Sequence, residues 1–277
     1  ELCFAVPAAI ALVGAVALFF TLKDTPSSVG LPEIEDLDKE EGKVNADEAP
    51  ASHPADLTGP AFKKFINKLV FANPLIWILA VSNFCIYVVR FTILDWGATF
   101  LTQYKGMEIS TAGTVVAASE LVGGILGMLV AGWFTDKFMK SRAHRTCFIC
   151  TVGATLSFFL FWKSPEGAPW LSALFICLSS FFIYGPQALL GTAASQQATK
   201  YACATANGIL GIFGYASTAI SGVTFGYLAD NYGWDSVFLV AVIIGLVGAA
   251  VVALMWKAPA DGYEKAEKLM NDMKTQN

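Results

Sequence analysis

Apolar residues fill this chain in long runs broken by short polar stretches. Residues 2–22 carry no charge, 75–104 carry only Arg90 and Asp95, and 109–135 carry only Glu120. Residues 146–162, 167–199, 201–229 and 236–256 carry none. A helix of roughly 20 apolar residues crosses the hydrocarbon core of a bilayer. The pattern therefore predicts seven spans, at 1–22, 75–104, 109–135, 146–162, 170–199, 202–229 and 236–256. The span at 146–162 is the shortest, and tilting or snorkelling of its flanks would fit it to the membrane. Backbone groups in lipid must bond internally, so the spans are helices. The short alternating strands of a transmembrane barrel are not visible. The expected fold class is all-α integral membrane.

Between the first and second spans lies a hydrophilic stretch, 23–74. Ten of the 22 acidic residues fall between Asp24 and Asp56, with only Lys23, Lys39 and Lys43 at or inside that segment. Four prolines, Pro26, Pro32, Pro50 and Pro54, punctuate it. It cannot bury enough apolar surface to fold alone and reads as a linker. A second polar stretch, 257–277, reads as a tail.

Composition agrees with the run pattern. Of 277 residues, 55% are hydrophobic and 14% charged, against about 25% charged in soluble domains; mean hydropathy is +0.56. The net charge of -4 belongs to the linker, since the remainder holds 15 basic and 12 acidic residues. With the linker on the cytoplasmic side, 15 of the 18 lysines and arginines fall on that side and only Lys105 and Lys163 opposite. This positive-inside bias predicts that 23–74 and the C-terminus are cytoplasmic.

Six cysteines lie in or at the ends of spans, unlike a disulfide framework. Cys147 and Cys150 form a lone C-x-x-C, which reads as packing. His53 and His144 fall in hydrophilic segments and offer no buried proton relay. No phosphate-binding glycine loop, HExxH pair or nucleophile elbow is present. Nor does a basic surface domain suggest nucleic acid. No enzyme, cofactor or metal is expected.

The spans hold a candidate repeat. GWFTD (132–136) closes the third span and GYLAD (226–230) the sixth, 94 residues later. The same shift carries Arg90 onto Tyr184, and a shift of 95 carries Glu120 onto Tyr215. Three spans repeated as three more would invert the second unit in the membrane, so these polar residues would converge near the midplane.

Arg90 is the sharpest of them. A central arginine costs roughly 2.5–3.5 kcal/mol on insertion scales and survives by facing protein, where its planar fork suits phosphate or carboxylate. Asn83 and Tyr87 share its helical face. The competing role is an ion pair with Asp95 or Glu120. Glu120 must itself pair or take up a proton, by a bridge to Arg90 or as a proton carrier. Gly123, Gly127 and Ala131, and likewise Asn207, Gly211 and Tyr215, sit at the four-residue spacing that lets helices approach closely. Tyr184-Gly185-Pro186-Gln187 predicts an interruption of the fifth span. Tyr184 and Tyr215 could offer hydroxyls to an anion.

Several strings carry a family resemblance: YVVRFTILDW, SELVGG, GWFTDK, FFIYGPQALLG, GIFGYAST and NYGWD. From residue 2 to 256 the chain resembles the organophosphate:phosphate antiporters of the major facilitator superfamily. The resemblance implies that 1–22 is the last helix of an N-terminal half, 23–74 the central cytoplasmic loop, and 75–256 the C-terminal six-helix half. It implies a substrate site of Arg90, Tyr87, Glu120, Tyr184 and Tyr215, with a second arginine supplied by the other half. The chain opens at Glu1 without methionine, and the expectation is a C-terminal fragment whose partner is that N-terminal half. The implied activity is exchange of an organophosphate for inorganic phosphate by alternating access in a bacterial inner membrane. Glycerol-3-phosphate is favoured and hexose 6-phosphate is next. A hexose-phosphate sensor of the same fold and a proton-coupled organic-anion carrier are the alternatives.

Overall fold

The computed structural model describes residues 2–23, 29–31, 59–165 and 167–274. The chain divides into two units, 1–53 and 54–277. The first contains α1 (Leu2–Thr21), a 20-residue apolar helix with Pro7 inside its first turns. Most of the acidic linker, and His53 with it, lies outside the described residues.

The second unit is a helical bundle. It opens with α2, an α-helical turn pair at Pro60–Ile66 that widens into a π-helical turn at Asn67–Phe71. The long helices follow as α3 (Pro74–Gln103), α4 (Ile109–Phe138), α5 (Ala143–Lys163), α6 (Pro169–Tyr232) and α7 (Trp234–Ala253), and α8 (Tyr263–Lys274) is the last of the described elements. Five of these are long and apolar enough to cross a membrane. The 64-residue α6 is two spans. Thr199 stands at φ 59° and ψ 175° inside it, a left-handed setting that breaks the helix into arms at 169–198 and 200–232. Counting its two arms separately, six long helical segments make the bundle.

Local chemistry sets the ends. Pro74 begins α3 behind Asn73, whose Oδ1 accepts from the Leu75 amide at 3.3 Å, a side-chain N-cap followed by proline at the first helical position. Pro169 likewise opens α6, behind Ala168 and without a side-chain cap. Gly233, at φ 79°, turns the chain from α6 into α7, where a side chain would be strained. GWFTD and GYLAD each finish two residues before their helix ends, at Phe138 and Tyr232.

Four expectations change. α5 runs from 143 to 163, longer than the apolar run, because the polar residues at its start, His144 and Thr146, are sheltered by packing. Its second residue, His144, is 2% exposed with Nε2 unpartnered, so it is buried despite its hydrophilic sequence context. Pro186 does not interrupt its span; the helix continues through it and breaks only at Thr199. The stretches 60–71 and 263–274, expected as linker and tail, are helical. Phe65, Leu69 and Val70 from one and Ala266, Met270 and Met273 from the other are buried in the core.

Packing follows two chemistries. Near the ends of α3, α5 and α7, rings interlock: Phe100 meets Phe238 at 4.3 Å between centroids, and Phe158 stacks on Phe238 at 5.1 Å. Between α4 and the first arm of α6, the backbones touch. A Cβ on Gly123 would stand 2.5 Å from the Cys177 carbonyl oxygen, and one on Gly127 would collide with that of Phe181. Ala131 continues the seam against Gly185, which also touches Cys150. The Gly123–Gly127–Ala131 stripe is therefore a contact seam. The glycine of the second-arm stripe is not in such a seam: nothing lies within 4 Å of a Cβ on Gly211. That arm instead approaches α3 at Gly214, where Asn83 and Tyr87 fill the space a side chain would need.

Candidate anion site

Arg90 lies midway along α3, and the glycine seam brings α4 and α6 to the same level. Because α4 and α6 are in backbone contact, Glu120 and Tyr184 can meet across them; Tyr184 lies flat on Gly124, its ring carbons 3.2–3.3 Å from where a Cβ would be. Arg90 Nη2 donates to the Tyr184 hydroxyl at 3.1 Å. That hydroxyl donates in turn to Glu120 Oε2 at 2.8 Å. Glu120 Oε1 accepts from the Ser180 hydroxyl at 3.0 Å.

The result is a relay rather than a bridge. Among the described residues no ion pair joins Arg90 to Glu120 or Asp95. Tyr184 stands between the two central charges, as donor to one and acceptor from the other. Glu120 is 8% exposed, and both of its oxygens are occupied by hydroxyl donors. Burial of a carboxylate is tolerable on those terms.

The guanidinium is enclosed by rings. Its carbon is 5.0 Å from the Tyr184 centroid, 5.4 Å from Phe91 and 5.8 Å from Tyr87, within reach for cation–π attraction. Arg90 Nε is buried and has no partner. With one of its five N–H groups engaged by Tyr184, the fork keeps donors for an incoming acceptor.

The structure thus gathers Arg90, Tyr184 and Glu120, with Tyr87 beside them. Tyr215 is not gathered. It is 74% exposed on the second arm of α6 and makes no hydrogen bond among the described residues. Its neighbour Gly214 is the residue that packs on Tyr87. Asn83, on the Arg90 face, is engaged in structure: its Nδ2 donates to the Leu210 carbonyl at 2.8 Å. Ser180 and Phe91 were not legible as site residues. Ser180 stands one helical turn before Tyr184, and that i, i+4 spacing was the available signal.

Of the residues related by the candidate repeat, Arg90 and Tyr184 are in direct contact, whereas Tyr215 stands apart from Glu120, exposed on the second arm. A model of the major facilitator superfamily matches residues 1–221. The chain belongs to the major facilitator superfamily. This places it among membrane transport proteins rather than enzymes. It is 30% identical over 266 residues to a probable hexose phosphate transport protein of Chlamydia trachomatis, covering 94% of this chain and 58% of that protein. It is 30% identical to the glycerol-3-phosphate transporter of Bacillus subtilis, over 91% of this chain and 55% of the relative. The membrane sensor protein UhpC of Escherichia coli is 31% identical, over 88% and 54%. These relatives match the organophosphate:phosphate antiporter family named by the sequence motifs. The chain spans about half the length of each.

Proposed function

We propose that this superfamily bundle forms one wall of an organophosphate site in a transporter that exchanges an organophosphate for inorganic phosphate. The observation that carries the reading is Arg90: a cation at mid-span, sheathed in aromatic rings, with a buried Nε that lacks a partner. A phosphate monoester supplies the planar acceptor pair that such a fork binds in two-point fashion. The names of the relatives support glycerol-3-phosphate or hexose 6-phosphate as the organic part, and glycerol-3-phosphate remains favoured on the motifs.

In the proposed cycle, phosphate takes the Arg90 donors and competes with the Tyr184 hydroxyl for the guanidinium. Tyr184 keeps its bond to Glu120, so the carboxylate stays satisfied while the ligand enters. Tyr87 stands beside the guanidinium, and Tyr215, exposed on the neighbouring arm, is available to a ligand held between two halves. A facing six-helix half would supply the second cation, and rocking of the halves would alternate access. The linker and both chain ends of the bundle are assigned to the cytoplasmic side of a bacterial inner membrane on the lysine and arginine bias.

The test is exchange by the complete protein in phosphate-loaded proteoliposomes, offered glycerol-3-phosphate and glucose 6-phosphate in parallel. Arg90→Lys should lower exchange by about a hundredfold or more, because an ammonium cannot make the two-point contact. Exchange near the parent rate would overturn the role of Arg90. The relative that is a membrane sensor favours a second reading, in which the same site binds hexose phosphate without moving it. Saturable binding with no exchange would decide for the sensor.

A further inference from the structure

The helix α2 has no role in the transport site, and its composition is unlike that of a loop. Phe65, Leu69 and Val70 are buried against the bundle. Lys63, Lys64 and Lys68 are exposed on the remaining arc, with Phe62 and Phe71 also open. Among the described residues none of the three lysines has an ion-pair partner. A groove of about 600 Å³ runs between α2 and the start of the second arm of α6, walled by Phe62, Lys63, Asn67, Phe71 and Tyr201. Among the described residues no acidic side chain lines it. Just beyond, Trp77 donates from its indole to the Phe71 carbonyl at 2.8 Å and is 40% exposed, the setting of an aromatic residue at a membrane–water interface.

A basic, aromatic helix at the mouth of a membrane bundle has the chemistry of an interfacial lipid contact. We propose that this groove binds an anionic phospholipid. The headgroup phosphate meets Lys63 and the Asn67 amide, an acyl chain follows Phe62, Phe71 and Tyr201, and Lys64 and Lys68 add attraction from the flank. The apolar wall selects a lipid over a soluble phosphate, because lysines alone would serve either.

Lipid titration of the purified full chain, read by native mass spectrometry, tests the assignment. Phosphatidylglycerol should bind well ahead of phosphatidylcholine. The K63Q/K64Q/K68Q variant should lose about a hundredfold in phosphatidylglycerol affinity, on the order of fivefold per lysine, with helicity unchanged by circular dichroism. The triple arginine variant should retain binding, which separates loss of charge from loss of fold. Millimolar glycerol-3-phosphate should not compete. Equal binding of the two lipids, or an unaffected glutamine variant, would overturn the proposal. So would competition by the soluble phosphate, which would make the groove a free-anion site. Phosphatidylglycerol binding that emerges only after the carboxylates of 33–49 are neutralised would assign the groove to the chain's own acidic segment instead.

Discussion

At the scale of single residues, Tyr184 decides how the two central charges coexist. Direct contact between Arg90 and Glu120 would occupy the arginine fork and remove it from the ligand. A hydroxyl placed between them satisfies the carboxylate at 2.8 Å while taking one arginine donor at 3.1 Å. Removing it leaves Glu120 Oε2 without a donor and lets the guanidinium swing toward the acid. Tyr184→Phe should therefore weaken substrate affinity by about tenfold, within the 1–3 kcal/mol that an unsatisfied buried polar group costs. The KM for exchange is the measurement, and the effect should exceed its effect on folding. Ser180→Ala should act in the same direction and more weakly, since Glu120 keeps Tyr184.

Among elements, the close contact of α4 with the first arm of α6 sets the depth at which Glu120 faces Tyr184. The seam permits no side chain at Gly127, where a Cβ would meet the Phe181 carbonyl. Gly127→Ala must separate the helices and should lower stability by about 1–3 kcal/mol, seen as a reduced thermal midpoint in detergent with reduced exchange. Gly132, five residues further along the same helix, has nothing within 4 Å of a Cβ. Gly132→Ala should leave the midpoint unchanged. An equal fall in both variants would show that the seam is not what holds the pair together. The break at Thr199 works at the same scale. An unbroken 64-residue helix would run to about 96 Å at 1.5 Å per residue, so one residue with a left-handed backbone converts it into two spans.

Across the whole molecule, the distribution of packed and open surface separates the proposed ligand wall from the core. The second arm of α6 buries Gly214 and Ser217 against the bundle and leaves Ile212, Tyr215 and Val223 open. That open face is where a facing half and a shared ligand would stand. In the complete protein, Tyr215→Cys should react with a water-soluble maleimide and be slowed several-fold by saturating phosphate ester. Cys147, fully enclosed in α5, should not react under the same conditions. Reaction at position 215 that ligand fails to slow would remove Tyr215 from the site.

The apolar runs determined that the bundle is built of long apolar helices, because lipid demands long uninterrupted apolar helices and charges mark their limits. They also determined that Arg90 and Glu120 needed protein partners, since neither charge is tolerated facing hydrocarbon. The four-residue glycine stripe was legible for the same reason: only small residues let two helix backbones touch. Which stripe is used was decided by tertiary structure. Gly123 and Gly127 meet a neighbour whereas Gly211 faces open space, although the Asn207–Gly211–Tyr215 stripe has the same spacing. The burial of His144 and the helices at 60–71 and 263–274 were likewise settled by packing, because neighbouring helix ends shelter residues whose local composition is polar. The pairing at the site belongs to this second class. Arg90, Glu120 and Tyr184 sit on three different helices, and sequence periodicity orders residues along one helix but not across several. The bundle's packing made Tyr184 the link between the charges and left Tyr215 outside it.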